Sequence, residues 1–161
     1  MSLTGKTSII TGGSDGIGRA IAAKLASEGA HVVICARNEE KLESVAEDIK
    51  AAGGSVETRV QDVADTDSFA AMIGDVASSN GLDILVNNAA HVGFGSVADA
   101  SLEDFRENFR VNVDATYAGM QAAIKAMSYN GGSIINISSI NGDRAMPGMA
   151  GYSSSKAAVL H

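Results

Sequence analysis

Ile9-Ile10-Thr11-Gly12-Gly13-Ser14-Asp15-Gly16-Ile17-Gly18 carries a short apolar run through a glycine turn into a segment with helical apolar spacing (Ile17, Ala20, Ile21, Leu25). A strand that turns over glycines into a helix brings backbone N–H groups and the partial positive charge of a helix start to one place. The glycines let the chain turn sharply and let an anion approach the backbone. The spacing is Gly-x-x-x-Gly-x-Gly, not the commoner Gly-x-Gly-x-x-Gly, but the physics is the same. A purely structural turn would also use glycines. The position directly after the first strand favours a site for the pyrophosphate of a dinucleotide, with Gly12, Ser14, Gly16, Ile17 and Gly18 around it. Asp15 is acceptable there only if its carboxylate points away from the phosphates.

Outward from this turn, strand and helix alternate. Strands are expected at Lys6–Thr11, His31–Ala36, Ser55–Val60, Leu82–Val86 and Ser133–Ser138. Helices are expected at Gly16–Glu28, at Glu39–Ala52 capped by Asn38, and at Thr66–Ser79 started by Asp65. A long one runs from Leu102 to Met127, with Ser101 and Asp104 as a capping box, and a last one starts near Tyr152. Near-continuous apolar strands separated by helices imply a parallel sheet covered on both faces. With 161 residues, 45% of them hydrophobic, and no repeat or low-complexity tract, residues 1–161 read as one domain with a core of its own. Eighteen glycines against one proline fit tight strand–helix junctions better than a linker. A net charge of −7 argues against nucleic acid or an anionic membrane as partner. No apolar span or leader is visible, so the expectation is a soluble, cytoplasmic protein. Cys35, the single cysteine, sits in Val-Val-Ile-Cys-Ala and reads as a core residue rather than a nucleophile.

The end of the second strand bears on the choice of dinucleotide. An acid there accepts from a ribose 2′-hydroxyl, whereas an arginine suits a 2′-phosphate. The strand ends in Ala36-Arg37-Asn38, so NADP is favoured over NAD, with Arg37 as the phosphate partner. Near the chain end, Tyr152 and Lys156 stand at i and i+4 on one helix face. A free phenol, with a pKa of about 10, is a poor base at neutral pH, and a neighbouring cation favours the phenolate.

These motifs in this order resemble the classical short-chain dehydrogenase/reductase family over essentially the whole chain. The resemblance rests on the Thr11–Gly18 turn, Asp62-Val63, Asn87-Asn88-Ala89-Ala90, Asn112, Ser139 and Tyr152-x-x-x-Lys156. Ala90 is the departure, standing where the family usually has glycine. The resemblance implies a Rossmann-like, doubly wound α/β fold and a hydride transfer between NADP and a small carbonyl or alcohol substrate, with no metal. It implies a catalytic set of Asn112, Ser139, Tyr152 and Lys156, in which Tyr152 exchanges the proton and Lys156 also holds the nicotinamide ribose. Ser139 would bond the substrate oxygen, with Ser138 the weaker candidate, and Asn112 would anchor a water relay. Asp62 and Val63 would meet the adenine, Asn88 and Ala89 the adenosine ribose, while Asn87 braces the sheet. Family members continue through two further strands and a substrate-covering segment, and a full-length form is expected to be a homo-oligomer. The expectation is therefore a piece of a longer protein, truncated after the fifth strand and the start of the next helix, with that strand left as an open edge. A non-catalytic nucleotide-binding module on the same fold is the alternative reading of this piece.

Overall fold

The computed structural model describes residues 2–161. Five parallel strands form one sheet in the order β3-β2-β1-β4-β5: β1 Thr7–Thr11, β2 His31–Ala36, β3 Ser55–Val60, β4 Ile84–Asn87 and β5 Ser133–Asn136. The chain first runs outward from β1 to β3, then crosses back to lay β4 on the other side of β1. The order reverses between β1 and β4, where a doubly wound sheet opens a crevice at its carboxyl edge.

Alternate residues face opposite layers, so the interior of β2 and most of β4 are apolar throughout, whereas the edge strand β3 carries Glu57, Thr58 and Arg59. Ile9, Val33, Cys35 and Leu85 face one layer, with Phe69, Ile73 and Val76 of α3 (Thr66–Asn80) and Ala115 and Ala123 of α5 (Ala115–Ala126). Ile10, Val32, Ile34 and Val86 face the other, with Ala22 and Ala26 of α1 (Gly16–Ser27) and Leu42, Val45 and Ile49 of α2 (Glu39–Ala51). Asn38 and Asp65 cap α2 and α3 by accepting from Lys41 N and Ser68 N.

Most element ends shift by one or two residues from the sequence reading, and three differences have a structural cause. Leu82 is buried, but the β4 ladder begins only at Ile84, opposite Ser8. β5 stops at Asn136, because the chain then turns towards α6 (Ala150–Leu160): the Ile137 carbonyl accepts from Lys156 Nζ at 2.7 Å. The long helix is two helices, α4 (Leu102–Phe109) and α5, joined by a π-helical turn over Arg110–Asp114 that contains Asn112. The expected capping box is half formed. Ser101 Oγ accepts from Asp104 N (3.0 Å), but the Asp104 carboxylate meets His91 Nε2 at 3.1 Å instead of returning to Ser101.

Candidate active site

The glycine turn is built by close packing. Gly12 adopts φ +64°, and a Cβ on Gly18 would lie 2.2 Å from the Gly12 carbonyl oxygen and 2.5 Å from Asn88 Nδ2. No side chain fits there. The Thr11 hydroxyl accepts from the backbone N–H of both Asn88 and Ala89 (2.9 Å each), while Asn88 Nδ2 donates to the Thr11 carbonyl (2.9 Å). The turn after β1 and the loop after β4 are thus fastened across the crevice. Asn87 is buried one residue earlier and donates to Asn136 Oδ1 at 2.9 Å, bracing β4 against β5.

A cavity of about 510 Å³ opens at this carboxyl edge. Gly12, Ser14, Arg37, Asp62, Val63, Ala89 and Ala90 line it, together with Lys41, His91 and Glu107, which the sequence reading did not single out. Gly16, Ile17 and Gly18 stand at the start of α1, outside its walls, and Ile17 is 62% exposed. The side chain of Asn88 faces the glycine turn rather than the cavity. Ala90 lies among residues with no positive φ outside glycine, so alanine fits there without strain. Asp15 caps α1 rather than standing clear of the turn: its Oδ1 accepts from Gly16 N (2.7 Å) and its Oδ2 from Lys41 Nζ (3.0 Å), so the carboxylate takes one of the N–H groups at the helix start. The Lys41 ammonium, helped by the Gly16 N–H, holds the Asp15 carboxyl below the ordinary range. Arg110 donates to both Glu107 oxygens, at 2.7 and 2.9 Å, and holds that carboxyl low. The residues fit a dinucleotide: a glycine cradle that side chains would fill, an apolar Val63, and cations at one end.

The second cluster lies beyond β5. Lys156 is 3% exposed, and its Nζ sits 5.9 Å from the Tyr152 ring centroid while donating to Ile137 O. Burial pushes the Lys156 pKa down. The Ser138 hydroxyl donates to the Lys156 carbonyl (2.8 Å), tying the chain after β5 to α6. Ser139 Oγ accepts only a longer bond from Asn141 N (3.2 Å), which leaves its proton available. The Tyr152 phenol has no hydrogen-bond partner among the described residues. Asn112 is fully buried: Oδ1 accepts from His91 N (2.8 Å), and Nδ2 donates to His91 O (3.0 Å) and Ser155 Oγ (2.8 Å). Its backbone carbonyl accepts from the Thr116 hydroxyl (2.8 Å). Asn112 therefore locks the loop after β4 to α6, the helix that carries Tyr152 and Lys156. Ser155 and Ser138 were not singled out as its supports, since their partners lie 43 and 18 residues away.

Among the described residues, no helix is long and apolar enough to cross a membrane. The sequence model for short chain dehydrogenase matches residues 6–161. A 2,5-dichloro-2,5-cyclohexadiene-1,4-diol dehydrogenase of Sphingobium indicum is 41% identical over 98% of this chain and 64% of its own length. A 3beta-hydroxysteroid dehydrogenase of Mediterraneibacter gnavus is 36% identical, over 96% of this chain and 56% of that protein. The chain spans about three fifths of the length of such curated relatives. Among solved structures, a metagenomic short-chain oxidoreductase in complex with NADP superposes with a TM-score of 0.94 at 39% identity, covering 99% of this chain and 74% of that one. A doubly wound sheet, a Gly-x-x-x-Gly-x-Gly turn at its switch point and a Tyr-x-x-x-Lys helix beside β5 go together with these matches, and the chain belongs to the short-chain dehydrogenase family.

Proposed function

We propose that the protein is an NADP-dependent oxidoreductase that moves a hydride between nicotinamide and a small carbonyl or alcohol substrate. The observation that carries this reading is the buried Lys156 ammonium, fixed by the Ile137 carbonyl 5.9 Å from the Tyr152 ring, at the carboxyl edge of the sheet where the nucleotide cavity also opens. The dinucleotide, when bound, supplies or takes the hydride. In the reductive direction Tyr152 gives its phenolic proton to the carbonyl oxygen as the carbonyl carbon gains hydride. In the oxidative direction the phenolate takes the alcohol proton. Lys156 stabilises the phenolate and reaches the nicotinamide ribose. Ser139, with its proton uncommitted, donates to the substrate oxygen and steadies the charge that develops there. Asn112 anchors a relay water between Lys156 and solvent. At the other end, Asp62 and Val63 take the adenine and Ala89 the adenosine ribose.

Preference for NADP rests on exposed Arg37 at the cavity rim and on Ala36, where an acid would repel a 2′-phosphate. The same reading makes the protein cytoplasmic, its partners small molecules, and any longer form a homo-oligomer. The test is a cofactor-oxidation assay on the longest available form against linear and cyclic ketones. Tyr152→Phe should lower turnover by about 10²–10⁴-fold, while NADPH affinity stays within about twofold because only the transferable proton is gone. A near-normal rate for Tyr152→Phe would assign the proton to another acid and overturn the mechanism.

A further inference from the structure

Lys41 lies in the first turn of α2, where Asn38 Oδ1 fixes its backbone by accepting from Lys41 N at 2.9 Å. A cation there opposes the partial positive charge of the helix start, whereas its neighbours Glu39 and Glu40 suit it. Stability of α2 is therefore no reason for a lysine at this position. Its ammonium instead reaches Asp15 Oδ2, at 3.0 Å, across the rim of the nucleotide cavity that Lys41 lines together with Arg37 and Ser14. Both side chains are largely exposed, 57% for Lys41 and 73% for Asp15. An exposed pair of this kind is weak and screened by salt, so the lysine can exchange its carboxylate for a better anion without disturbing either helix.

We propose that Lys41 is a second specificity residue of this cavity: it leaves Asp15 to pair, alongside Arg37, with a phosphate on the adenosine ribose, and Asp15 restrains that exchange. The proposal rests on the dinucleotide reading above. A 2′-phosphate offers up to two negative charges to two converging cations. A 2′-hydroxyl offers neither cation a charged partner, so with NADH the Lys41–Asp15 pair stays closed. Asp15 acts by holding Lys41 while the phosphate is absent, which makes the site less selective than its two cations alone would be.

The experiment titrates the chain with NADPH, NADH, 2′,5′-ADP and inorganic phosphate by fluorescence and calorimetry, using wild type, Lys41→Gln, Asp15→Asn and the double variant. Lys41→Gln should lower the ratio of NADH to NADPH dissociation constants by about five- to tenfold and weaken 2′,5′-ADP in parallel. Asp15→Asn should raise that ratio by about threefold, and the double variant should match Lys41→Gln alone, since the acid works through the lysine. Lys24→Gln, which removes the same charge from an exposed pair with Glu28 at the C-terminal end of α1, should leave the ratio unchanged. An unaltered ratio in Lys41→Gln overturns the proposal, as does an Asp15→Asn gain that persists without the lysine. Inorganic phosphate competing as well as 2′,5′-ADP would make the site a simple anion trap and overturn it too. If neither dinucleotide binds wild type, the cofactor reading fails. NADPH binding with unresponsive variants defeats only the role of Lys41.

Discussion

Cys35 lies in β2, in register with Thr11 on one side and Arg59 on the other, and none of its surface reaches solvent. Burial pushes its thiol pKa up to about 12 from the ordinary 9.0. The unfolded chain then releases this proton near pH 9 while the folded chain keeps it. Stability from this group is fully present below the unfolded value and is lost as pH rises towards the folded one, with a slope approaching about 1.4 kcal/mol per pH unit. Lys156 has the opposite sign. Its lowered pKa means that the folded chain sheds a proton the unfolded chain keeps up to 10.5, so its contribution grows with rising pH in that window and is lost as pH falls through the folded value. Urea unfolding between pH 8 and 11 separates the two. Cys35→Ala should remove the alkaline loss of stability relative to wild type, whatever its effect at neutral pH. An unchanged alkaline slope would mean that the thiolate finds water in the native state.

Glycines in or at the start of helices serve different ends. In Gly18→Ala the new Cβ would stand 2.2 Å from the Gly12 carbonyl oxygen, and moving that oxygen dismantles the turn. The variant should lose about 1–3 kcal/mol and its dinucleotide affinity together. Gly74, inside α3, has nothing within 4 Å of a built Cβ. Gly74→Ala should therefore gain about 0.5–1 kcal/mol through helix propensity alone. Thermal melts with NADPH titrations check both, and equal outcomes would refute the packing argument. The first role was legible in the sequence, because a glycine turn directly between a strand and a helix has few other uses. So were the alternation of elements, the caps at Asn38 and Asp65, and the core place of Cys35. The π-turn at Asn112 was not, because apolar spacing runs on through Arg110–Asp114. What marks it are bonds to His91 and Ser155, 21 and 43 residues away, which no local pattern carries. The same holds for Lys41, whose partner Asp15 is 26 residues off.

At the scale of the whole molecule, the two halves of the sheet, β3-β2-β1 and β4-β5, meet along the short β1–β4 ladder, from Ser8↔Ile84 to Ile10↔Val86. Thr11 closes its open end. Its hydroxyl is 2% exposed as a residue, takes two backbone N–H groups and gives its proton to the Val86 carbonyl at 3.4 Å. Thr11→Val keeps the shape and orphans both donors, so it should cost about 2 kcal/mol or more, whereas Thr11→Ser should lose far less. Denaturant unfolding of the two variants tests this, and equal losses would show that the methyl group matters as much as the hydroxyl. NADPH affinity should fall with Thr11→Val, since the crevice that holds the cavity is set by the same bonds.

The loop after β4 is gripped by its backbone. Asn112 takes both main-chain groups of His91, and Gly95 N donates to the Gly148 carbonyl at 2.9 Å. Between these clamps Val92 and Phe94 are exposed by 41% and 77%, with their side chains contributing little to the anchoring. Such a loop can exchange its side chains through mutation without losing its course. Lineages can then diverge at Val92 and Phe94 while inheriting the same clamp between Asn112, His91 and Ser155, so drift at these two positions is free of the constraint that holds the loop's path.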